Sequence, residues 1–566
     1  MILFRKICVG SLGIAAGSLF ISAAYSQTAS VQHVLLISID GMHAVDYLNC
    51  SKGIPGANGG APYCPNLAEL GATGINYLNT STSKPSDSFP GLTAIVSGGS
   101  PRLEGAFYDV AYDRSLDAPA MTTGNGVAAG PCTPGAAPTG TTTEYEEGID
   151  IDQSKLNGGI PGASLIDGGI AGIQPKRLPR DPKHNCEPVY PWNFVRTNTI
   201  FGVVHAAGGY TAWADKHPSY SSVAGPGDGS NVDDYYSPEI NSLVVPLPGI
   251  TTPTGMSCAS IADPSQTGSW TDSFLNIQCY DTLKVNAILH EIDGKTHLGN
   301  PKGKVPTLFG MNFQVVSVGQ KLIEKGFGKG GYLDDQGTPS ELLLGEIKFA
   351  DTAIGEMISR LKKNGLYDST LVVITAKHGQ SPIDPNLFYP IPGHSGTNGE
   401  TPANVIAAYL PYSESPNNPT GIGPTEDDVS LLWLKNSNDT EKAVALIEEH
   451  GHEEGLGQVF SGRSIAQMFN SPGLPPDGDP RTPDIIVTPN VGVIYTGSAK
   501  KQEEHGGFSH DDTNVILLIS HPSFPSRTIT TAVETKQVAP TILNALGLNP
   551  QSLQAVTTEG TQVLPY

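Results

Sequence analysis

The sequence predicts an α/β fold with a mostly parallel central sheet flanked by helices. Two continuous apolar runs, 34–39 and 371–375, are typical of strands buried on both faces of such a sheet. Helical segments alternate with apolar runs along the chain, as they do in α/β proteins. Polar residues follow the strand ends, which is where α/β sheets place their functional sites.

The other elements follow from apolar periodicity and from residues that end helices and strands. The helix predicted at 340–363 has the clearest pattern, because Leu343, Ile347 and Ile354 share one face. Further helices are predicted at 65–74, 92–97, 198–207, 280–291 and 538–546. Further strands are predicted at 210–215, 307–316, 484–487 and 515–518.

Two loop-rich segments interrupt the alternation of strands and helices. They span about 118–300 and 393–497, and the second contains a predicted helix at 440–450. Gly, Pro, Thr and Ala dominate the start of the first segment, which is typical of irregular structure. We therefore expect one domain over residues 27–566, with two insertions that cap a cleft.

The first 26 residues resemble a secretory signal peptide. Arg5 and Lys6 precede an apolar stretch, and Ala24-Tyr25-Ser26 fits the small-x-small cleavage rule. This pattern predicts a secreted or periplasmic protein that begins near Gln27. The alternative is an uncleaved membrane anchor. No later stretch approaches the length of a spanning helix, so no membrane association is expected after cleavage.

Cysteine content also favours export. Six of the 7 cysteines follow the predicted signal, and their spacing suggests the pairs Cys50–Cys64, Cys132–Cys186 and Cys258–Cys279. The alternative, a zinc cluster, lacks any CxxC pair.

The charge balance constrains the partners. The net charge of −22 argues against binding to a nucleic-acid polymer or to an anionic membrane. It still allows a small anionic substrate, because a metal ion or a local lysine can reverse the potential within a cleft.

Three positions at or near strand ends predict a nucleophilic site. Asp40 ends the first apolar run, Ser88 lies in a Pro-rich turn, and Lys377-His378 follows the second run. A serine hydroxyl is a weak nucleophile that needs a metal ion or a base beside it. The stretches 105–109 and 505–507 complete an ordered set. That set resembles the alkaline phosphatase superfamily, in particular type I phosphodiesterases/nucleotide pyrophosphatases, over nearly the whole mature chain.

The resemblance implies a fold, an activity and a set of roles. It implies an alkaline phosphatase-like core and hydrolysis of a small phosphate ester or diester, with Ser88 as the nucleophile. Asp40, Ser88 and His378 match one metal-binding side, and His505 matches the other. Asp109 lies where the family often has an Asn that contacts the substrate phosphoryl group.

Three departures change what the resemblance implies about metals. Lys377, Val316 and Gln320 stand where the family has two aspartates and a histidine as ligands. Valine cannot ligate, and an amide oxygen is a poor zinc ligand. We therefore expect at most one tightly bound divalent metal, zinc by resemblance, with Gln320 as a weak ligand at most. Lys377 could pair with Asp40 and assist catalysis, or the same pair could only preserve the fold.

Two further residues are candidates for substrate binding. Lys216 lies in Asp215-Lys216-His217 after a predicted strand, and His394 opens the second insertion. The chain has no GxSxG elbow, Walker-type loop or dinucleotide fingerprint. An alternative is a catalytically degenerate extracytoplasmic binding protein on the same fold. Sulfate-ester hydrolysis is disfavoured, because residues 88–92 lack the arginine that sulfatases have there.

Overall fold

A computed structural model describes residues 30–124, 126–145, 173–240, 249–258, 270–301, 303–393, 398–407, 409 and 425–566. The predicted signal peptide and His394 lie outside these ranges. Within them, none of the helices has the length and apolarity needed to cross a membrane.

The main sheet contains eight of the described strands, in the order β21-β2-β20-β13-β1-β10-β8-β9. Their bounds are β1 His33–Ile39, β2 Ile75–Tyr77, β8 Thr211–Ala214, β9 Asp234–Tyr236, β10 Leu308–Phe313, β13 Thr370–Thr375, β20 Leu518–Ser520 and β21 Arg527–Ile529. All neighbours pair in parallel except β20, which is antiparallel to both β13 and β2. The predicted α/β fold with a mostly parallel sheet is confirmed.

The register brings several strand ends to one edge of the sheet. Strand β1 lies between β13 and β10, with Ser38 opposite both Thr375 and Asn312. Residues that follow these strands therefore emerge side by side at the carboxyl edge, where α/β folds form their sites.

Helices cover both faces of this sheet, because alternate strand residues point to opposite sides. On β1, Leu35 and Ile37 join one core and Val34 and Leu36 join the other. The first core packs against α1 Ala44–Lys52, α2 Pro65–Thr73, α7 Phe274–Ile292, α8 Val315–Lys321 and α9 Glu341–Lys363. The second packs against α3 Ser88–Ser97, α5 Pro191–Phe194, α6 Ile200–Ala206, α14 Val538–Ala545 and α15 Gln554–Glu559.

A smaller antiparallel sheet lies mostly within the second predicted insertion. Its strands are β15 Thr425–Glu426, β16 Ser430–Leu432, β17 Leu456–Ser461 and β18 Ile485–Pro489, in the order β15-β16-β18-β17. Helices α10 Pro402–Ala407 and α11 Thr440–His450 pack on one face. The prediction of 484–487 as a strand is confirmed, and the strand belongs to this smaller sheet and not to the main one. Local apolarity cannot distinguish the two sheets.

The remaining described elements are short. The strands are β3 Thr80–Ser81, β4 Val110–Asp113, β5 Thr141–Glu144, β6 Arg180–Asp181, β7 Glu187–Pro188, β11 Ile323–Glu324, β12 Gly328–Lys329, β14 Tyr389–Pro390, β19 Val493–Ile494 and β22 Val533–Glu534. The helices are α4 Pro101–Glu104, α12 Gly462–Met468 and α13 His510–Thr513.

Two predicted boundaries change in the structure. The first insertion cannot extend unbroken over 118–300, because β8 and β9 pair into the main sheet and α7 packs on it. The strand predicted at 307–316 ends at Phe313, and Val315 already begins α8. Apolar residues lie on both sides of this boundary, at 308–311 and at 315–316, so local apolarity does not mark the change from strand to helix.

Three disulfides confirm the predicted cysteine pairs. They join Cys50 to Cys64, Cys132 to Cys186 and Cys258 to Cys279. Each joins cysteines that are consecutive in the sequence after the predicted signal peptide.

Candidate active site

Asp40 lies at the centre of the carboxyl edge of the sheet. It follows β1, is fully buried, and accepts hydrogen bonds at Oδ2 from the side-chain amides of Gln314 at 2.6 Å and Asn312 at 3.1 Å. Both amides come from the end of β10. Burial by itself raises the pKa of Asp40, but Lys377, His378, Lys216 and the Gln314 hydrogen bond together hold this pKa below its usual value.

Ser88 is the first residue of helix α3. Asp87 caps the helix by accepting a hydrogen bond from the backbone N–H of Phe89 at 3.1 Å. Gly91 lets this helix approach the end of β13, because a Cβ there would lie 2.2 Å from the carbonyl oxygen of Lys377. The helix start is thus held directly against the strand that ends in Lys377-His378.

The Ser88 hydroxyl lies among a base, a cation and a carboxylate. Its Oγ is 3.1 Å from His378 Nε2, 3.2 Å from Lys216 Nζ and 3.5 Å from Asp40 Oδ2. The N–H at His378 Nδ1 donates a hydrogen bond to the carbonyl oxygen of Gly379 at 2.8 Å. Nε2 is therefore the unprotonated nitrogen and can accept the Ser88 proton.

Burial keeps His378 neutral. It lowers the pKa of His378 from 6.5 to about 4, against the opposing effects of Asp40 and of the hydrogen bond to Gly379. A neutral imidazole beside a serine hydroxyl is able to act as a general base.

Lys377 is fully buried between two carboxylates. Its Nζ lies 2.9 Å from Asp215 Oδ1 and 3.8 Å from Asp40 Oδ2, and 4.0 Å from the centre of the Tyr220 ring. Burial lowers the pKa of Lys377, and Asp215 and Asp40 oppose this effect. Asp40 was the predicted partner of Lys377, whereas the shorter ion pair is with Asp215.

His505 and Asp109 both reach Asp87, the capping residue next to Ser88. His505 Nδ1 is 3.5 Å from Asp87 Oδ1, and the rings of His505 and His378 have centres 4.0 Å apart. The backbone N–H of Asp109 donates to Asp87 Oδ2 at 3.0 Å, while its own Oδ1 accepts from the N–H of Val110. The fold therefore brings both residues to the rim of the Ser88 site.

Gln320 belongs to a neighbouring network instead. Its Nε2 donates to the carbonyl oxygen of Gly41 and to the Tyr332 hydroxyl, both at 2.8 Å, beside His43 and Asp46. In the part of the chain that the structure describes, no hydrogen bond joins Gln320 to Ser88, Asp40 or His378. The expectation of Gln320 as a metal ligand is therefore not supported by its position.

Sequence reasoning missed two residues of the site, Asn312 and Gln314. They hold Asp40 through their amides, and neither was predicted, because the family resemblance concerns positions 316 and 320 and not 312 and 314. The available signal was their place at the carboxyl end of a buried strand next to β1.

The arrangement does not fit two closely spaced metal ions. Val316 is buried in the apolar core and Gln320 faces Gly41. Within the described ranges, no group of three or more His, Cys, Asp or Glu side chains is arranged to hold a metal ion. One ion has a possible ligand set in Asp40, Ser88 and His378, whose donor atoms lie 3.1, 3.5 and 3.8 Å apart. Ligands of a tetrahedral zinc ion lie about 3.3–3.6 Å apart. Asp40 Oδ1 is buried with no hydrogen-bond partner among the described residues.

The fold and this site together define a class of protein. The structure of murine ectonucleotide pyrophosphatase/phosphodiesterase 5 superposes with a TM-score of 0.51 at 14% identity, over 92% of this chain and 96% of that chain. An inactive variant of the same murine protein, in complex with AMP, gives 0.50 with the same identity and coverage. At this identity the likeness shows the fold, which is alkaline phosphatase-like.

The family follows from the sequence profile of type I phosphodiesterases/nucleotide pyrophosphatases. It matches residues 34–141 and 332–512, just over half of the chain, and these ranges include Asp40, Ser88, His378 and His505. The chain belongs to this family, and it is a phosphoric ester hydrolase. No curated protein sequence matches it significantly.

Proposed function

We propose that this protein is an exported phosphodiester hydrolase with Ser88 as its nucleophile. The observation that supports this most directly is the position of the Ser88 hydroxyl, 3.1 Å from the unprotonated nitrogen of His378 and 3.2 Å from the Lys216 ammonium. A base that can accept the proton and a cation that stabilises the oxygen are what a serine nucleophile requires.

The proposed reaction has two steps. In the first, Ser88 Oγ attacks phosphorus, its proton passes to His378 Nε2, and the bond from phosphorus to the leaving oxygen breaks. That oxygen departs opposite Ser88 and takes a proton from water. In the second, water attacks the phosphoseryl group, Ser88 Oγ leaves and recovers the proton held by His378, and the phosphate product releases the proton of the attacking water.

Lys377 has a separate role in this proposal. Its ammonium lies close to Asp40 and is fixed by Asp215, so it is poised to stabilise charge on the phosphoryl oxygens. Asp109 and Lys216 line the same site, and both are proposed to contact substrate. His394, also predicted to do so, lies outside the described residues.

Members of the family are metal-dependent, and we propose that this chain holds at most one tightly bound divalent ion, with zinc as the expected metal. Asp40, Ser88 and His378 would hold it. When bound, the ion would occupy the lone pair of His378 Nε2 and would itself favour the deprotonated Ser88 oxygen, so the proton transfer to His378 describes the site without the ion. His505 lies beside this set, at a ring distance of 4.0 Å from His378.

The substrate is proposed to be a small phosphodiester, with nucleotide esters as the first class to test. A murine relative with the same fold was solved with AMP. Export is supported by the predicted signal peptide and by three disulfides, which persist in oxidising compartments.

The test is Ser88→Ala against bis(p-nitrophenyl) phosphate and p-nitrophenyl phosphate. We expect the wild type to prefer the diester and the variant to lose its activity by at least about a thousandfold, because the nucleophile is absent. Ser83→Ala, in the turn before the site, is the matched control and is expected to keep full activity. Full activity of Ser88→Ala would refute the nucleophile. Phosphate binding by the wild type without turnover would favour a degenerate binding protein.

A further inference from the structure

We propose that Lys216 is a further catalytic residue, which acts with Lys377 as a pair of fixed cations that supply positive charge in place of a metal ion. The inference rests on the proposed function, because it assigns a role at the same Ser88 site. Lys216 lies outside the ranges that match the family profile, so this contact is not part of the matched motifs.

The two lysines approach the site from opposite sides of β1. Lys216 follows β8 and Lys377 follows β13, and in the sheet β1 and β10 lie between these strands. Lys216 Nζ contacts Ser88 Oγ at 3.2 Å, and Lys377 Nζ lies 3.8 Å from Asp40 Oδ2. The two ammonium groups therefore flank the nucleophile and the carboxylate beside it.

An aromatic ring supports both cations. Lys377 Nζ is 4.0 Å and Lys216 Nζ is 5.7 Å from the centre of the Tyr220 ring. The face of an aromatic ring attracts cations, and the effect is larger away from water. Tyr220 is fully buried, so its ring holds the two ammonium groups without adding negative charge to the site.

The backbone of Lys216 is fixed, which pre-positions its side chain. Its N–H donates to Asp215 Oδ1 at 2.8 Å, and its carbonyl oxygen accepts from the N–H of Ile240 at 3.1 Å. Asp215 therefore holds the backbone N–H of Lys216 and the ammonium of Lys377. Groups held in place before the reaction stabilise a transition state without a cost of reorganisation.

The charges are consistent with replacement of a metal ion. A lysine in place of an aspartate ligand changes the charge by two units, which is the charge of a divalent cation. At Lys377 this change coincides with the absence of ligands at Val316 and Gln320, as the resemblance to the family implies. The positive charge is thus kept while the metal-binding capacity is lost.

Lys216 keeps its proton throughout the proposed step. It donates to Ser88 Oγ while the serine proton passes to His378, and it then pairs with a non-bridging phosphoryl oxygen as the Oγ–P bond forms. The bond to the leaving oxygen breaks on the far side of phosphorus. No oxidant, reductant or further reactant is needed.

The first experiment compares Lys216→Met, Lys216→Gln and Lys216→Arg with the wild type, using bis(p-nitrophenyl) phosphate. Loss of one preorganised donor lowers kcat by about 100- to 1,000-fold in enzymes. We expect a loss of this size in the Met and Gln variants and partial recovery in Lys216→Arg. Lys304→Met removes an ammonium 5.0 Å from the Tyr210 ring, outside the site, and is the matched control.

The second experiment uses a readout that does not depend on turnover. Binding of inorganic phosphate is measured by calorimetry on the wild type and on both neutral variants, after thermal unfolding has shown which of them is folded. We expect at least a tenfold weaker affinity for phosphate in a folded neutral variant. If neither neutral variant folds, the test depends on Lys216→Arg. Changes of more than threefold from the wild type in both phosphate affinity and kcat would support the role of Lys216. Values of both equal to those of the wild type would refute it.

The third experiment titrates metal into stripped protein while activity is measured. We expect activity to be complete with no more than one equivalent of Zn²⁺. A requirement for two equivalents, or wild-type kcat in a folded neutral Lys216 variant, would overturn the proposal. These outcomes differ from a failure of the proposed function, which would appear as full activity in Ser88→Ala.

Discussion

Lys377 and Asp215 form a fully buried ion pair, with 2.9 Å between Nζ and Oδ1. They follow strands β13 and β8, which are separated in the sheet by β1 and β10. The pair therefore spans the carboxyl edge and passes close to Asp40, which follows β1. It holds the ammonium next to the nucleophile helix, so four strands contribute to a site around one serine.

Removal of Asp215 tests how far this pair supports the fold. Asp215→Asn leaves Lys377 with Asp40 as its remaining carboxylate. Loss of one partner of a buried pair costs about 3–5 kcal/mol, so we expect the free energy of unfolding to fall by this order. Urea denaturation measures it. Asp335→Asn, at an exposed loop, serves as the control and is expected to change stability by less than about 0.5 kcal/mol. An unchanged stability in Asp215→Asn would mean that the pair is not what stabilises Lys377.

Metal stoichiometry tests the consequence of the lost ligands. Lys377 adds positive charge close to Asp40, and Coulomb repulsion disfavours a dication there. We expect the purified wild type to contain at most one tightly bound metal per chain by elemental mass spectrometry. Lys377→Asp removes the repulsion and adds a ligand, so its metal affinity is expected to rise, whereas Lys362→Asp at an exposed helix position is expected to leave it unchanged. Two tightly held zinc ions in the wild type would contradict this prediction.

Substitutions of Tyr220 separate the ring from its hydroxyl. A desolvated cation–π contact contributes up to about 2 kcal/mol, which corresponds to roughly a 30-fold change in rate. We expect Tyr220→Leu to lower kcat/KM by about 10- to 30-fold and Tyr220→Phe to stay within about threefold of the wild type. Steady-state kinetics with bis(p-nitrophenyl) phosphate checks both. Equal losses in the two variants would assign the effect to the hydroxyl and not to the ring.

The pH dependence of activity reports on His378. Its folded pKa is lowered from 6.5 to about 4, so the ring stays neutral and able to accept a proton until the pH falls to that value. We expect kcat/KM to fall in acid, with a midpoint near pH 4.

The pH dependence of stability follows from the same lowered pKa. The ring of His378 is protonated near pH 6.5 in the unfolded chain, so its contribution to the free energy of unfolding is present above pH 6.5 and is lost as the pH falls toward 4. Circular dichroism must therefore verify that the enzyme is still folded at each pH. An acid midpoint of 6 to 7 in folded enzyme would show that another group titrates or that His378 is more exposed to water.

Much of the fold could be predicted from local pattern. The runs 34–39 and 371–375 are apolar on both faces, and a strand with this composition fits only a sheet that is covered on both sides. The disulfide pairs followed from spacing, since each disulfide joins two cysteines that are consecutive along the mature chain. The run at 484–487 was predicted as a strand, but the sheet to which it belongs could not be predicted, because the apolarity of a strand does not indicate which strands it pairs with.

The candidate site was predicted less completely for the same reason. Asp40, Ser88, His378 and His505 follow from ordered motifs that resemble the family. The contact of Lys216 with Ser88 could not be predicted, since the two residues lie far apart in the chain and no sequence motif contains both of them. The hydrogen bond from Gln314 to Asp40 could not be predicted, because it depends on β10 lying next to β1.

The sequence by itself therefore determined which segments become buried strands and helices and which cysteines pair. These properties depend on residues close together in the chain. Only the structure shows that the helix predicted at 92–97 begins at Ser88. The tertiary structure alone decided that Lys377 pairs with Asp215 and that Lys216 reaches Ser88. The strand order β13-β1-β10-β8 places these side chains at one edge, and strand order is set by the packing of the whole domain and not by local sequence.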